Sequence, residues 1–586
     1  MKRITLFMAS FFTITSFAQT FTEVVDGVSR DFFYSSSSVG DFDGDGDADL
    51  VICGAVDPEN SGEFANTTIC AVYENVNGTL QENTDYALSN GIHLGDVKFI
   101  DVNQDGLLDL VLTGLSYLDI VNYKNYIYIN TGSSYQLQET IQGKIMGSIA
   151  VADYNHNGLQ DYVINGLYFD QAANKVTNKV DLYTNANGTF TKSFLVPGSQ
   201  MGDVQIADFN NDMELDVAVM GFDTDTGNRI LNVYMNDGQG NLIEKQNFTG
   251  ISGGTIAVAD FNVDGYLDFV THGVEGENLY SLKVYLNNQD ETFTETEIPN
   301  EGIGVSNGSK SIAAGDFNND GYYDFVLMGD DANYNSAVKI FTYNSATGGF
   351  DKYTNPTEII NAGGPSSLNV IDYNSDNKLD LLVSGFTDVN GEYLTITRLY
   401  ENADTTTTNQ APNAPSNLHA ETIGNRIDFS WDLATDDKTP SEALQYEIKV
   451  GTTDGGAELA QYVVTTPFWY LTFDELPEDI YWTVRSIDAS QAKSGFAPTS
   501  GVLSTTNYTK TPALAIYPNP TRAHFYVTEA AQRISIYTTS GQLVQSLENV
   551  YENTPINTSA LTTGVYIVQI KTLTNKTQTK KLIIQK

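Results

Sequence analysis

Oxygen-bearing side chains recur along this chain at one fixed spacing. DFDGDGDADL begins at Asp41 and returns as DVNQDGLLDL from Asp101, DYNHNGLQDY from Asp153 and DFNNDMELDV from Asp208. It returns again as DFNVDGYLDF from Asp260, DFNNDGYYDF from Asp316 and DYNSDNKLDL from Asp372. Positions 1, 3, 5 and 9 carry Asp or Asn in all seven copies. These are Asp41, Asp43, Asp45 and Asp49; Asp101, Asn103, Asp105 and Asp109; and Asp153, Asn155, Asn157 and Asp161. The later copies supply Asp208, Asn210, Asp212 and Asp216, then Asp260, Asn262, Asp264 and Asp268. Asp316, Asn318, Asp320 and Asp324, then Asp372, Asn374, Asp376 and Asp380, complete the set. Alternating positions turn oxygens inward, position 7 offers a carbonyl, and Gly at position 6 permits the sharp turn, as at the start of an EF-hand. An all-oxygen donor set without Cys or His in register points to Ca²⁺ rather than zinc or copper. Mg²⁺ suits it less, because it dehydrates reluctantly.

Charge supports the same chemistry. The loops place 21 carboxylates at ligand positions. Two carboxylates about 4 Å apart repel by roughly 1 kcal/mol in water and about 4 kcal/mol at an effective dielectric of 20. Seven Ca²⁺ would move the net charge from −44 to −30. The competing reading is that Asp, Asn and Gly build Asx turns without metal. The third loop keeps only Asp153 and Asp161 charged, and the fourth has Met213 where Gly is expected, so these two should bind most weakly. In the seventh, Asn377 tolerates the same conformation better.

The loops need a scaffold of matching period. Their starts are 60, 52, 55, 52, 56 and 56 residues apart, and a Gly stands thirteen residues after each first Asp, from Gly54 to Gly385. Six copies also carry Tyr-x-Asn, ending at Asn75, Asn130, Asn185, Asn236, Asn287 and Asn402. Each unit reads as four strands, and repeats of 50–60 residues with four strands predict a seven-bladed β-propeller over residues 19–403. The last unit lacks its fourth strand. The segment TFTE from Thr20 matches TFTK from Thr189 and TFTE from Thr292, so strand 20–25 is expected to close the last blade and remove the exposed edges.

Composition sets the class. A length of 586 residues suggests three or four domains, and a net charge of −44 excludes a nucleic-acid binder and disfavours anionic membranes. Residues 1–18 read as a secretory signal peptide, and no other segment has the length of a transmembrane span. Cys53 and Cys70 lie on consecutive predicted strands, which leaves open a hairpin cross-link or two buried thiols.

The repeats resemble the FG-GAP/VCBS repeats of integrin-α-like propellers, a likeness carried by the seven loops, with Met213 the clearest departure. The resemblance implies calcium in the hairpin between the first two strands of each blade and leaves the ligand undefined, because the fold serves adhesins, lectins and lyases. Residues 404–414 read as a polar linker, and 415–507 resemble a fibronectin type III domain, with Trp431, Tyr446, Leu476 and Tyr481 at its core positions, read as a spacer. Residues 511–586 change sign, carrying seven Lys+Arg against three Glu. Their YPNP from Tyr517, ISIYTTSGQLV, INTSALTTGVYIVQI and terminal KKLIIQK resemble the type IX secretion sorting domain of Bacteroidota. That resemblance implies a small β-sandwich directing export through the secretion machinery, to the cell surface or the medium. The fold class is thus all-β, a propeller followed by two small sandwiches.

Two functions compete. The loops joining second and third strands, opposite the acidic ones, carry Tyr117, Tyr123, Tyr168, Phe169, Phe222 and Tyr280, which could stack on sugar rings of a polysaccharide or surface glycoprotein. The alternative is a polysaccharide lyase or glycosidase, for which His93 and His272 are the available bases. No Ser-His-Asp order, zinc motif or phosphate loop appears. Binding is the favoured expectation.

Overall fold

A computed structural model describes residues 21–586 except 26, 57–66, 117–122, 171–172, 277–278, 300–302, 305–309, 332–335, 354–358, 360–361, 390–391, 405–406, 500–513, 539–541, 552 and 574–576. The signal-peptide segment lies outside the described residues. Those described form β-strands almost throughout, with one 3₁₀ turn at Thr84–Tyr86. None of their helices is long and apolar enough to cross a membrane.

Among the described residues, each acidic loop joins the first two strands of an antiparallel sheet, and there are seven such sheets. In the first, Phe32–Gly40 pairs with Asp49–Val56, which pairs with Thr68–Asn75 and then Leu80–Glu82. The disulfide Cys53–Cys70 bridges directly opposed residues of the second and third strands. The inner strands stand side by side in chain order: Phe32–Gly40, His93–Ile100, Ile149–Ala152, Val204–Ala207, Ile256–Ala259, Ile312–Gly315 and Gly363–Ile371. The last returns to the first, where Ser37 and Ser367 share a hydroxyl hydrogen bond of 2.6 Å. The seventh sheet takes its outer strand from the N-terminus, Phe21 facing Asn402 and Glu23 facing Tyr400, as the repeated TFTE implied. Every repeat thus finds a hydrogen-bonding neighbour on both sides, and the ring has no unpaired edge at its seam.

Side chains explain the register. The Tyr of each Tyr-x-Asn (Tyr73, Tyr128, Tyr183, Tyr234, Tyr285, Tyr400) is buried in the layers between sheets. The Gly thirteen residues after the first Asp marks a backbone contact: a Cβ on Gly221 would lie 2.7 Å from Gln200 O, and one on Gly202 opposite would lie 2.0 Å from Met220 O. Only hydrogen fits there, so the inner strand can close onto its partner.

The chain divides into two compact units. The first holds the seven sheets together with residues 431–467 and 481–500. There Trp431 packs edge-on against Tyr446 at 5.4 Å and against Trp482 at 6.1 Å. Tyr446 is fully buried, its hydroxyl accepting the Ala434 N–H. The core aromatic after it is Trp482, whereas Leu476 and Tyr481, expected there, are only half-buried; alternation along the strand turns Tyr481 to the opposite face. The second unit contains residues 501–586, where Ala531–Thr538 pairs with Leu543–Val550 and Gly564–Thr572, and the latter with Thr577–Ile584. Asn519 of the YPNP turn pins the last strand, donating to Lys581 O and accepting from the Ile583 N–H.

Candidate metal centre

Each loop is held by its own ligand-position side chains. The position-1 carboxylate accepts the N–H of position 6 in all seven, from Gly46 to Asn377, at 2.7–3.1 Å. Position 3 accepts the N–H of position 5, and position 5 that of position 7, as for Asn103, Asp105 and Leu107. These are Asx turns, so the metal-free reading describes part of the local chemistry. Position 6 is left-handed throughout, Met213 at φ +77° and Asn377 at +61° included. Position 4 is left-handed too, through Gln104, His156, Asn211, Ser375 and even β-branched Val263 at φ +57°. Only position 6 was expected to be so; at position 4 Gly44, His156, Asn211 and Asn319 are types that favour this conformation, whereas Gln104, Val263 and Ser375 give no such signal.

The ninth carboxylate is different. Asp49, Asp109, Asp161, Asp216, Asp268, Asp324 and Asp380 are all fully buried. One oxygen of each accepts the N–H of loop position 2 (Phe42, Val102, Tyr154, Phe209, Phe261, Phe317, Tyr373). The other accepts a third-strand N–H, which belongs to the Asn of Tyr-x-Asn in six repeats and to Tyr343 in the sixth. That Asn then reaches across to the preceding repeat. Asn75 Nδ2 donates to Tyr373 O, Asn130 to Phe42 O, Asn185 to Val102 O, Asn287 to Phe209 O and Asn402 to Phe317 O, at 2.7–3.0 Å. Tyr-x-Asn therefore staples neighbouring repeats at the level of the loops.

Among the described residues no Lys or Arg pairs with any ninth carboxylate. Burial pushes Asp109 and Asp161 up to about 7 and Asp49, Asp268 and Asp380 up to about 8, and drives Asp216 and Asp324 upward as well. A buried carboxylate without a protein cation is a good seat for a metal cation. In the first loop Asp41, Asp43 and Asp49 bring oxygens within 4.8 Å of one another, an oxygen-only set that fits a hard cation. Asp45 lies outside that trio, its Oδ1 accepting the Asp47 N–H. In the seventh loop the Lys378 ammonium sits 3.1 Å from Asp376, a competitor for any cation there.

The loop face is covered by the chain itself. The Asp316 N–H donates to Ala489 O, and Ser490 Oγ donates to Asn319 Oδ1 at 2.8 Å. Gln104 Nε2 donates to Leu459 O at 2.9 Å, and Glu442 and Gln445 line a cleft with Asp260 and Tyr266. A Cβ on Gly321 would meet Lys438 O at 2.1 Å. The segment expected to be a spacer is thus packed onto the second, fifth and sixth loops.

On the opposite side the expected residues scatter. Tyr117 lies outside the described residues. Tyr168 is buried among the ammonium groups of Lys144, Lys179 and Lys192, 5.3–5.8 Å from its ring. Tyr123, Phe222 and Tyr280 are half-buried, and Phe169 alone of the five described is exposed. His272 is fully enclosed in its strand and His93 half-buried, burial lowering its pKa.

Comparison with known proteins agrees with this layout. Residues 41–112, 208–271 and 274–327 match the FG-GAP-like repeat, and residues 515–585 match the secretion system C-terminal sorting domain. The chain is therefore an all-β protein built on FG-GAP-like repeats and carrying a type IX sorting domain. Through that domain it meets the secretion machinery and is exported to the cell surface or beyond. No curated protein matches it in sequence. Among solved structures it is similar to an α-L-arabinofuranosidase mutant from Fusarium graminearum in complex with an iminosugar inhibitor, at 11% identity over 66% of this chain and 97% of that one, with a TM-score of 0.34. It is also similar to the V. cholerae biofilm matrix protein Bap1, at 11% identity over 92% and 84%, with a TM-score of 0.23. The FN1–FN3 domains of chicken CNTN1 align at 14% identity over 36% and 78%, with a TM-score of 0.15.

Proposed function

We propose that this is an exported, calcium-stabilised seven-bladed β-propeller that binds polysaccharide or a surface glycoprotein, followed by a fibronectin type III-like domain and a small β-sandwich for sorting. The observation carrying the calcium reading is the buried ninth carboxylate of every repeat, which has two N–H donors and, among the described residues, no Lys or Arg partner. The Asp and Asn side chains at positions 1, 3, 5 and 9, with the position-7 carbonyl, would hold one ion per loop, up to seven in all. A bound ion would supply the missing positive charge, least firmly in the third and fourth loops.

The ligand reading follows from coverage. The second, fifth and sixth loops already carry parts of residues 438–467 and 481–490, so the side away from the acidic loops is the one left for an external ligand. A polysaccharide array scored for both retention and product release tests this, with elemental analysis of the purified protein for calcium. Retention without release is the expected result. Release of shortened products would instead favour the polysaccharide-degrading enzyme, and absence of both would end the glycan reading.

A further inference from the structure

The seven inner strands enclose a central space, and five residues before each acidic loop stands a buried polar side chain: Ser36, Asp96, Ser148, Asp203, Thr255, Ser311 and Ser367. Most accept an N–H from the next inner strand, as Asp96 Oδ2 does from Ile149, Ser148 Oγ from Val204, and Asp203 Oδ2 from Ile256. Asp96 also takes Ser36 Oγ and the Lys310 ammonium, 2.7 Å from its Oδ1. Asp203 takes Gln205 Nε2 and the Val204 N–H. Both carboxylates are therefore saturated.

Lys98, two residues on from Asp96 along the same strand face, is left over. It lies beside Lys310 and, among the described residues, has no carboxylate within ion-pair distance. It is only half-buried, so solvent reaches it. Two ammonium groups thus share a confined space in a chain of net charge −44, against carboxylates already committed to backbone donors. Burial and the neighbouring Lys310 lower the Lys98 pKa to about 8, which leaves it largely charged at neutral pH and in want of a counter-ion.

The rim around this space is also specialised. Seven residues before the first four loops stand Tyr34, Leu94, Met146 and Met201, all half-buried and all left-handed at φ 50–53°. The last three are chained by Met146 N–H to Leu94 O and Met201 N–H to Met146 O. Bulky residues in that conformation occur where surrounding structure enforces them, and they cluster at ligand clamps.

We propose that this end of the central space is a carboxylate-binding subsite for an acidic saccharide, with Lys98 contacting the anion and Lys310 holding its place through Asp96. The inference rests on the glycan-binding reading and narrows it to uronate-bearing chains. The amide of Gln205 can meet sugar hydroxyls, and the apolar rim suits the C–H face of a ring.

The test is calorimetric titration of the calcium-supplemented full chain with a hexuronate trisaccharide, the matching neutral trisaccharide, and a short peptide whose only anion is its C-terminal carboxylate. Wild type should prefer the hexuronate over the neutral sugar by about tenfold or more, the scale of one charge-assisted contact. Lys98→Met should lose that preference while keeping its melting temperature and its affinity for the neutral sugar, and Lys98→Arg should restore it. Equal binding of both sugars, or a preference that survives Lys98→Met, overturns the subsite and leaves the glycan reading intact. Peptide binding as tight as hexuronate overturns the saccharide class. Failure of any sugar to bind ends both readings.

Discussion

Removing metal should reverse the pH dependence of this protein's stability. In the absence of a cation, Asp109 and Asp161 are held near 7 and Asp49, Asp268 and Asp380 near 8. Against an ordinary aspartate value near 4, each such group costs about 4 kcal/mol or more once ionised in place, at ~1.4 kcal/mol per pKa unit. A raised folded-state pKa contributes stability that is intact below about pH 4 and is lost as pH rises through 7 to 8. Five such groups outweigh the about 5–15 kcal/mol that usually separates folded from unfolded protein. The metal-free ring should therefore melt far lower at pH 8 than at pH 5. Between those two pH values a single carboxylate accounts for about 3–4 kcal/mol, or about 5–8 °C at roughly 2 °C per kcal/mol. Calcium-loaded protein should behave in the opposite sense, because the ion binds the ionised form and protons compete with it as pH falls. Calorimetry at pH 5, 6.5 and 8 on protein passed over a chelating resin, with and without added CaCl₂, reads both slopes. A metal-free melting temperature that stays level or rises with pH would refute the electrostatic argument, and with it the case for metal in these loops.

Three further outcomes follow from named contacts. Met213→Gly removes a left-handed methionine from the fourth loop and should stabilise the protein by about 1 kcal/mol, read as a higher denaturant midpoint with unchanged slope. Asn130→Ala strips donors from Phe42 O and Leu108 O and an acceptor from the Gly132 N–H, and should cost about 2–3 kcal/mol in the same assay. Asn236→Ala, whose side chain has only a 3.4 Å bond to Leu215 O and the Gly238 N–H, should cost clearly less; equal losses would count against the staple. Truncation before Thr511 removes the sorting domain, and fractionation with immunoblotting should then find the protein inside the cell envelope instead of on the surface or in the medium.

Much of the loop was readable because its bonds are local. An Asp or Asn bonding an N–H two or five residues on leaves the same trace wherever it occurs, so position 5 to Leu107 or position 1 to Gly46 needs no distant partner. The closing strand was readable for a related reason: TFTE repeats an outer strand whose sheet otherwise lacks one. By contrast, Tyr-x-Asn was visible as a pattern and opaque in purpose, since Asn75 meets Tyr373 O across 298 positions. The polar ring of Ser36, Asp96 and Asp203 was periodic too, yet a lone Ser or Asp five residues before a loop says nothing until neighbouring strands lie beside it. Tyr168 and His272 misled the ligand-face expectation because residue type does not report enclosure.

The chain by itself determined what depends on neighbours a few residues away: turn chemistry, strand period, the number of repeats, charge, and the sorting signal. Tertiary structure decided whatever depends on which surfaces meet. It joined Cys53 to Cys70, buried the ninth carboxylates with no Lys or Arg partner among the described residues, laid parts of residues 438–467 and 481–490 over the acidic loops, and set Lys98 beside Lys310. Local bonds are encoded by spacing, whereas burial and the pairing of distant charges arise only when the ring closes and water is excluded.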